Sequence, residues 1–195
     1  MANATLTSAF EAFDAYNAKD PNKETADGKE YPKELLYAMR MTGQLNRFAP
    51  AAAESVQLAC RCQHIGRWEI PRNTYPMDRK GYLQWRNKLK QHHADIADKI
   101  LTECGYDAST IDHVKFLLQK KQLHANPDTQ LLEDVVCLVF VEHYLDEFAA
   151  KHDDDKIVDI LKKTLKKMSK KAIQEATTLV QSEKMKSLLT RAASE

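Results

Sequence analysis

The chain reads as an all-α protein, a single-domain helical bundle over residues 1–195. Three observations carry that reading. Glycine is scarce, five in 195 residues, so few tight turns of the kind that join strands are encoded. No stretch alternates apolar and polar residues as a half-buried strand does. Apolar residues instead recur at spacings of three and four, punctuated by Asp, Asn, Pro and Gly, as amphipathic helices do.

Ser8-Ala9-Phe10-Glu11 has the form of a capping box and opens a short helix bearing Phe10, Phe13 and Tyr16. The polar stretch 17–30 follows as a surface loop. Pro32 suits the first turn of a helix running to about residue 48, whose Leu35, Leu36, Met39 and Leu45 leave Arg40 at the buried edge. Pro50 starts another helix, in which Val56, Cys60 and His64 follow at spacing four, so His64 lies on or beside the apolar stripe. Residues 66–78 contain two prolines and form an ordered loop rich in Arg, Trp and Pro.

A long helix over 79–104 carries Tyr82, Trp85, Leu89, His93, Ile96 and Ile100 on one stripe. Gly105 ends it, and Asp107 caps the next, which bears Ile111, Val114, Leu117 and Leu118. Asn126-Pro127-Asp128 then supplies a cap, a first-turn proline and an acid suited to a helix N-terminus. The helix behind it, 129–152, is apolar nearly all round through Val141, which predicts a central, buried position. Asp134 shares a face with Leu131, Leu138 and Val141 and is the candidate buried carboxylate. Residues 151–195 read as two or three amphipathic helices, with Ile157, Leu161, Leu165 and Met168 inside and the lysine pairs at 162, 166 and 170 in water.

A net charge of +1 speaks against a protein that coats nucleic acid or an anionic membrane. The longest purely apolar run, 135–141, is seven residues, far short of the ~20 of a membrane span. The start, MANATLTSAFEAF, lacks the basic and apolar regions of a secretory signal. Four cysteines without a C-x-x-C pair point to reduced core thiols in a cytoplasmic protein.

Chemistry concentrates in residues 63–93, which hold both tryptophans and three of the seven histidines. Between 61 and 90 stand eight Lys/Arg against Glu69 and Asp78. Arg67, Trp68, Arg72, Arg79, Arg86 and Lys90, with Arg40, are candidate ligand-binding residues, because guanidinium forks beside aromatic rings suit a phosphate or carboxylate. The alternative is structural: arginines stacked on Trp68, Tyr75, Tyr82 and Trp85, and paired with the nine acids of 127–155. His64, His93 and Asp134 are polar residues at inward positions, the catalytic candidates. They serve either as hydrogen-bonded interior groups that fix helix register, or as an acid–base set, or, with Glu133, as ligands of a divalent metal.

The motif RW-x-IPR-x-x-YP-x-x-R-x-GYL-x-WR-x-x-LK, residues 67–90, resembles the family known as domain of unknown function 4202. The likeness extends to ELLYAMRMT (34–42), GYDASTI (105–111) and LEDVVCLVFVE (132–142), and implies no particular activity. The order of helices also resembles the HD-domain superfamily of metal-dependent phosphohydrolases, where histidines and aspartates bind a divalent metal inside an all-α bundle. That likeness places His64 at the histidine of the His-Asp pair, His92 or His93 at an accessory histidine and Asp134 at the late aspartate. The paired aspartate is Ile65 here, and the upstream histidine has Arg40 nearest to it. The resemblance thus implies either a metal site rebuilt with His93 and Glu133 or Glu142, or a scaffold that binds an anion without metal.

The expected function is binding of a small phosphorylated or carboxylated metabolite, with metal-dependent phosphohydrolysis as the reaction if the protein is an enzyme. The alternative is a non-catalytic protein that binds RNA or a partner protein through the basic segment 61–90, RNA being the less favoured of the two.

Overall fold

In a computed structural model the described residues, 4–194, are mainly helical with one short hairpin, and they group into two compact units divided after Lys121. In the first unit α1 (Ala4–Asn17) is already formed at Ala4. Ser8 therefore lies exposed within the helix instead of capping it, since the helix formers Ala4 and Leu6 carry the helix back past the motif. Residues 17–30 are more than a surface loop. β1 (Lys23–Ala26) and β2 (Lys29–Pro32) pair antiparallel, with Ala26 opposite Lys29. Asp27 and Gly28 turn the chain between them with φ of 50° and 73°, the two-residue geometry that matches the twist of a hairpin.

The hairpin leads into α2 (Lys33–Phe48), whose inner face is Leu36, Tyr37, Met41, Leu45 and Phe48; Met39, expected on that stripe, is exposed. Asp20 reaches across to accept the backbone N–H of Glu34 at 3.0 Å, so a loop carboxylate satisfies an orphan donor at the start of α2. The next helix, α3 (Glu54–Arg61), begins four residues after Pro50, because the proline holds Ala49 extended (φ −147°, ψ 71°) and a turn intervenes. It ends at Arg61, so His64 stands in the following turn and not on the helical stripe.

Two single 3-10 turns, Arg67–Glu69 and Arg72–Thr74, order the loop that follows. Asp78 then caps α4 (Arg79–Glu103), which buries Trp85, Leu89, His93, Ile96 and Ile100. Tyr82, in its first turn, is on the surface. Asp107 caps α5 (Ala108–Leu118). α3 packs on α5, α2 and α1, and α4 packs on α5 and α1, around Phe13, Met41, Leu45, Leu58, Leu101 and Leu117.

In the second unit Asn126 caps α6 (Pro127–His143). The helix expected to continue to residue 152 breaks at Tyr144 (φ −127°, ψ −16°), and α7 (Leu145–Ala149) resumes with Leu145 fully buried. α8 (Asp154–Leu165), α9 (Lys170–Leu179) and α10 (Glu183–Ser194) complete the unit, with α6 against α9 and α8 against α10. No helix among the described residues is long and apolar enough to cross a membrane. Cys60, Cys62 and Cys137 are buried thiols and Cys104 is half-buried. Burial pushes the Cys60 and Cys62 thiols far up.

Candidate functional site

The first unit gathers three histidines, an arginine and a buried carboxyl where α2, the turn after α3 and α4 come together. Glu34, in the first turn of α2, has only 8 % of its side chain exposed. Burial pushes its carboxyl up from 4.5 to about 7; the charge of Arg67 opposes this, Asp20 adds to it and Lys33 opposes it. His64 lies against it, with Nδ1 3.4 Å from Glu34 Oε2, and its ring stacks on Tyr37 at 4.1 Å.

Arg67 stands over both. Its Nη1 is 3.2 Å from His64 Nε2 and its Nε is 3.7 Å from Glu34 Oε1. A guanidinium can only donate, so His64 Nε2 accepts and the ring proton is on Nδ1, facing Glu34. Burial first, then the positive charges of Arg67, Lys120, Arg86 and Lys33, hold His64 well below the usual imidazole value. Near neutral pH His64 is therefore uncharged, and its approach to Glu34 is not an ion pair of imidazolium and carboxylate. His64 keeps 23 % of its side chain open and Arg67 32 %, so these two are the faces a ligand can reach. The Arg67 guanidinium also lies 4.8 Å over the Trp85 ring.

His93 lies behind, its ring 5.9 Å from that of His64. Its Nδ1–H donates to the Ile65 carbonyl at 2.7 Å, which leaves the lone pair on Nε2. Burial, then His64, lowers its pKa as well; the Ile65 bond opposes this, and Arg67 and His92 add to it. His92, the other half of the pair, is committed elsewhere. Its Nε2 is 3.0 Å from Glu69 Oε2 and 3.2 Å from the Gly66 carbonyl. Tyr16 donates to the other Glu69 oxygen at 2.8 Å, and its ring lies 5.9 Å from that of Trp68. Burial, then the Glu69 carboxylate, pushes the Tyr16 phenol up to about 12.

A family model described as domain of unknown function (DUF4202) matches residues 7–189, which takes in nearly all of both units. The chain belongs to this family. No curated protein matches it, and no solved structure does.

The remaining candidates of this DUF4202 chain have other surroundings. Arg40 pairs with Glu24 of β1 and fastens the hairpin to α2. Arg72 directs its donors to the carbonyls of Tyr75, Pro76 and Asp78, which makes it a brace of the loop. Arg79 is exposed, Arg86 is half-buried beside Tyr82 with ring and guanidinium 5.8 Å apart, and Lys90 is half-buried.

Asp134 and Glu133 belong to the second unit. Asp134 Oδ1 accepts from the Ser169 backbone N–H at 2.8 Å and from Gln130 at 2.9 Å, and Glu133 lies 3.6 Å from Lys167. Among the described residues no three His, Cys, Asp or Glu side chains group as ligands for a metal ion. The acids of 127–155 with described ion pairs find them on Lys151, Lys167, Lys184 and Arg191, and Glu142 on His143, all in their own unit. Sequence reasoning missed Glu34, Tyr37, Lys33, Lys120 and Asp20. A signal for Glu34 was present: it lies on the stripe of Tyr37, Ala38, Met41, Leu45 and Phe48.

Proposed function

We propose that the first unit binds a small phosphorylated or carboxylated ligand at Arg67 and His64, and that His64 with Glu34 behind it supplies acid–base chemistry to hydrolyse it. One observation carries this reading. The Arg67 fork is held between a neutral imidazole and a carboxyl that is half-protonated at about pH 7, so its charge lacks a full counter-charge. The charges of Arg86, Lys120 and Lys33 bear on the same point. An anion completes the arrangement, and a bidentate guanidinium contact orients it.

Its negative charge also favours a proton on His64. That proton is taken up at Nε2 from the attacking water, and Glu34, facing the Nδ1–H, stabilises the imidazolium in its carboxylate form. His93, bonded to Ile65, holds the back of the site. The likeness to HD-domain phosphohydrolases read from the sequence favours hydrolysis of a phosphate ester as the reaction.

Thermal melts with sulfate, inorganic phosphate and a panel of sugar phosphates and nucleotides test the binding. A saturating anion is expected to raise the melting temperature by several degrees, about 2–4 °C for each kcal/mol of binding. Arg67→Ala is expected to abolish the shift. Absence of any shift at millimolar anion would sink the reading.

A further inference from the structure

Residues 76–86 present apolar side chains to solvent from a backbone that is held in place. Met77 is 77 % exposed, Leu83 52 % and Tyr82 42 %. Single exposed apolar residues are ordinary, but here three fall within seven positions of one another. The turn beneath them is braced from inside. Arg72 donates to the carbonyls of Tyr75 (3.0 Å), Pro76 (2.7 Å) and Asp78 (3.2 Å), and its guanidinium lies 5.9 Å from the Tyr82 and Trp85 rings. The N–H of Gly81 donates to Asp78 Oδ1 at 2.6 Å, and Gly81 sits so close to Pro76 that a Cβ would lie 2.1 Å from its carbonyl oxygen. The Trp85 indole donates to the Ile70 carbonyl at 2.8 Å. Met77 thus crowns a fixed turn, and its exposure is not that of a loose loop.

Helical spacing supplies a cationic rim. Arg79 stands three residues before Tyr82 and four before Leu83, and Arg86 four after the one and three after the other. Arg86 Nη1 lies 3.5 Å from the Tyr82 hydroxyl. Lys80 and Lys88 are exposed nearby, and Asp78, the one acid in 76–90, is turned to the helix cap.

We propose that Met77, Tyr82 and Leu83, rimmed by Arg79 and Arg86, form a docking surface for an acidic protein segment with apolar anchors, such as an amphipathic helix whose glutamates flank leucine or phenylalanine. The apolar centre gives such a segment its buried contacts, and a methionine adapts to the anchor it meets. The arginines steer the segment in and fix its register. RNA fits less well, because base stacking needs free aromatic faces and the Tyr82 ring is lined by Arg72 and Arg86. A membrane surface calls for a long amphipathic helix, and this patch is one turn of helix with the turn before it.

The test uses the full chain with 13C-methyl-labelled methionine. It is titrated with a synthetic peptide of alternating glutamate pairs and leucine or phenylalanine at helical spacing, and with a scrambled peptide of the same composition. The Met77 methyl is expected to shift on titration with the first peptide only, while Met39, exposed on α2, stays in place as the internal control. Met77→Ser with Leu83→Ser is expected to weaken binding at least about tenfold, and Arg79→Glu to weaken it and reduce its salt dependence. Equal binding of the scrambled peptide, a silent Met77 methyl, or unchanged affinity in the double variant overturns the proposal. So does a Met77 response to oligouridylate or phosphatidylserine vesicles without one to the peptide. Self-association of the chain that the double variant abolishes also overturns it, since the occupant is then a second copy.

Discussion

At Glu34 the folded state holds a proton that the unfolded chain gives up, because the carboxyl is raised from 4.5 to about 7. Stability from this group is therefore lost as pH rises from 4.5 to 7, by about 3 kcal/mol in all. His64 and His93 act in the opposite sense. Below 6.5 the unfolded chain takes up protons that the folded state refuses, so their contribution is lost as pH falls. Glu34→Gln is expected to remove the first effect alone: relative to the parent, the variant gains stability with rising pH up to about 7. Urea unfolding over a pH series reads this, and a constant difference between the two proteins would place Glu34 in a less buried setting.

Sulfate, whose charge does not change in this range, is expected to bind more weakly above pH 7, where ionised Glu34 competes for Arg67. In Glu34→Gln that decline is expected to vanish in calorimetric titrations. At the next turn, Gly66 has φ of 67°, and an added Cβ would lie 2.5 Å from Ile96 Cδ1 and 3.1 Å from His92 Nε2. Gly66→Ala is expected to cost about 2–4 kcal/mol, combining left-handed backbone strain with overpacking. At this scale the chain was half legible. His93 was marked by its place on the apolar stripe of α4, whereas the stripe that marked His64 ends before it, at Arg61. Glu34 was overlooked despite its place on the α2 stripe, because an acid in a helix's first turn already has an ordinary reason to be there.

The elements depend on local devices that differ in how openly the chain displays them. The caps at Asp107 and Asn126 and the long α4 follow from residue types at fixed offsets, and they were legible. The hairpin was encoded as well, in Asp27-Gly28, but its strands are four residues each and too short for alternation to stand out. The break at Tyr144 has no proline or glycine to announce it. The entrance to α4 depends on a close backbone approach, which no spacing rule reveals. Gly81→Ala forces a Cβ onto the Pro76 carbonyl, a contact with backbone that cannot swing aside. It is expected to lower stability by about 2 kcal/mol or more and to broaden the Met77 methyl resonance as the turn loosens.

For the whole molecule, composition and helical spacing were enough to predict the all-α class, because that depends on averages over many residues. The grouping into two compact units was not legible, since the connection around Lys121 and Gln122 lacks the glycine, proline or serine run that marks a linker. Each unit has its own fully buried residues, Phe13, Met41 and Leu101 in one and Leu132, Leu138 and Ile157 in the other. A fragment ending at Lys121 is expected to stay helical by circular dichroism and to keep the sulfate-induced rise in melting temperature.

The buried thiols make the protein its own stopwatch. Cys60 and Cys62 are sealed in the first unit and Cys137 in the second, while Cys104 is partly open to reagent. With a thiol-reactive probe in native buffer, Cys104 is expected to label first. Cys60 and Cys62 then label at the rate at which the first unit opens, and Cys137 at the rate of the second. Peptide mapping of the label over time would separate the two opening rates in a single tube, and an anion held at Arg67 would slow only the first.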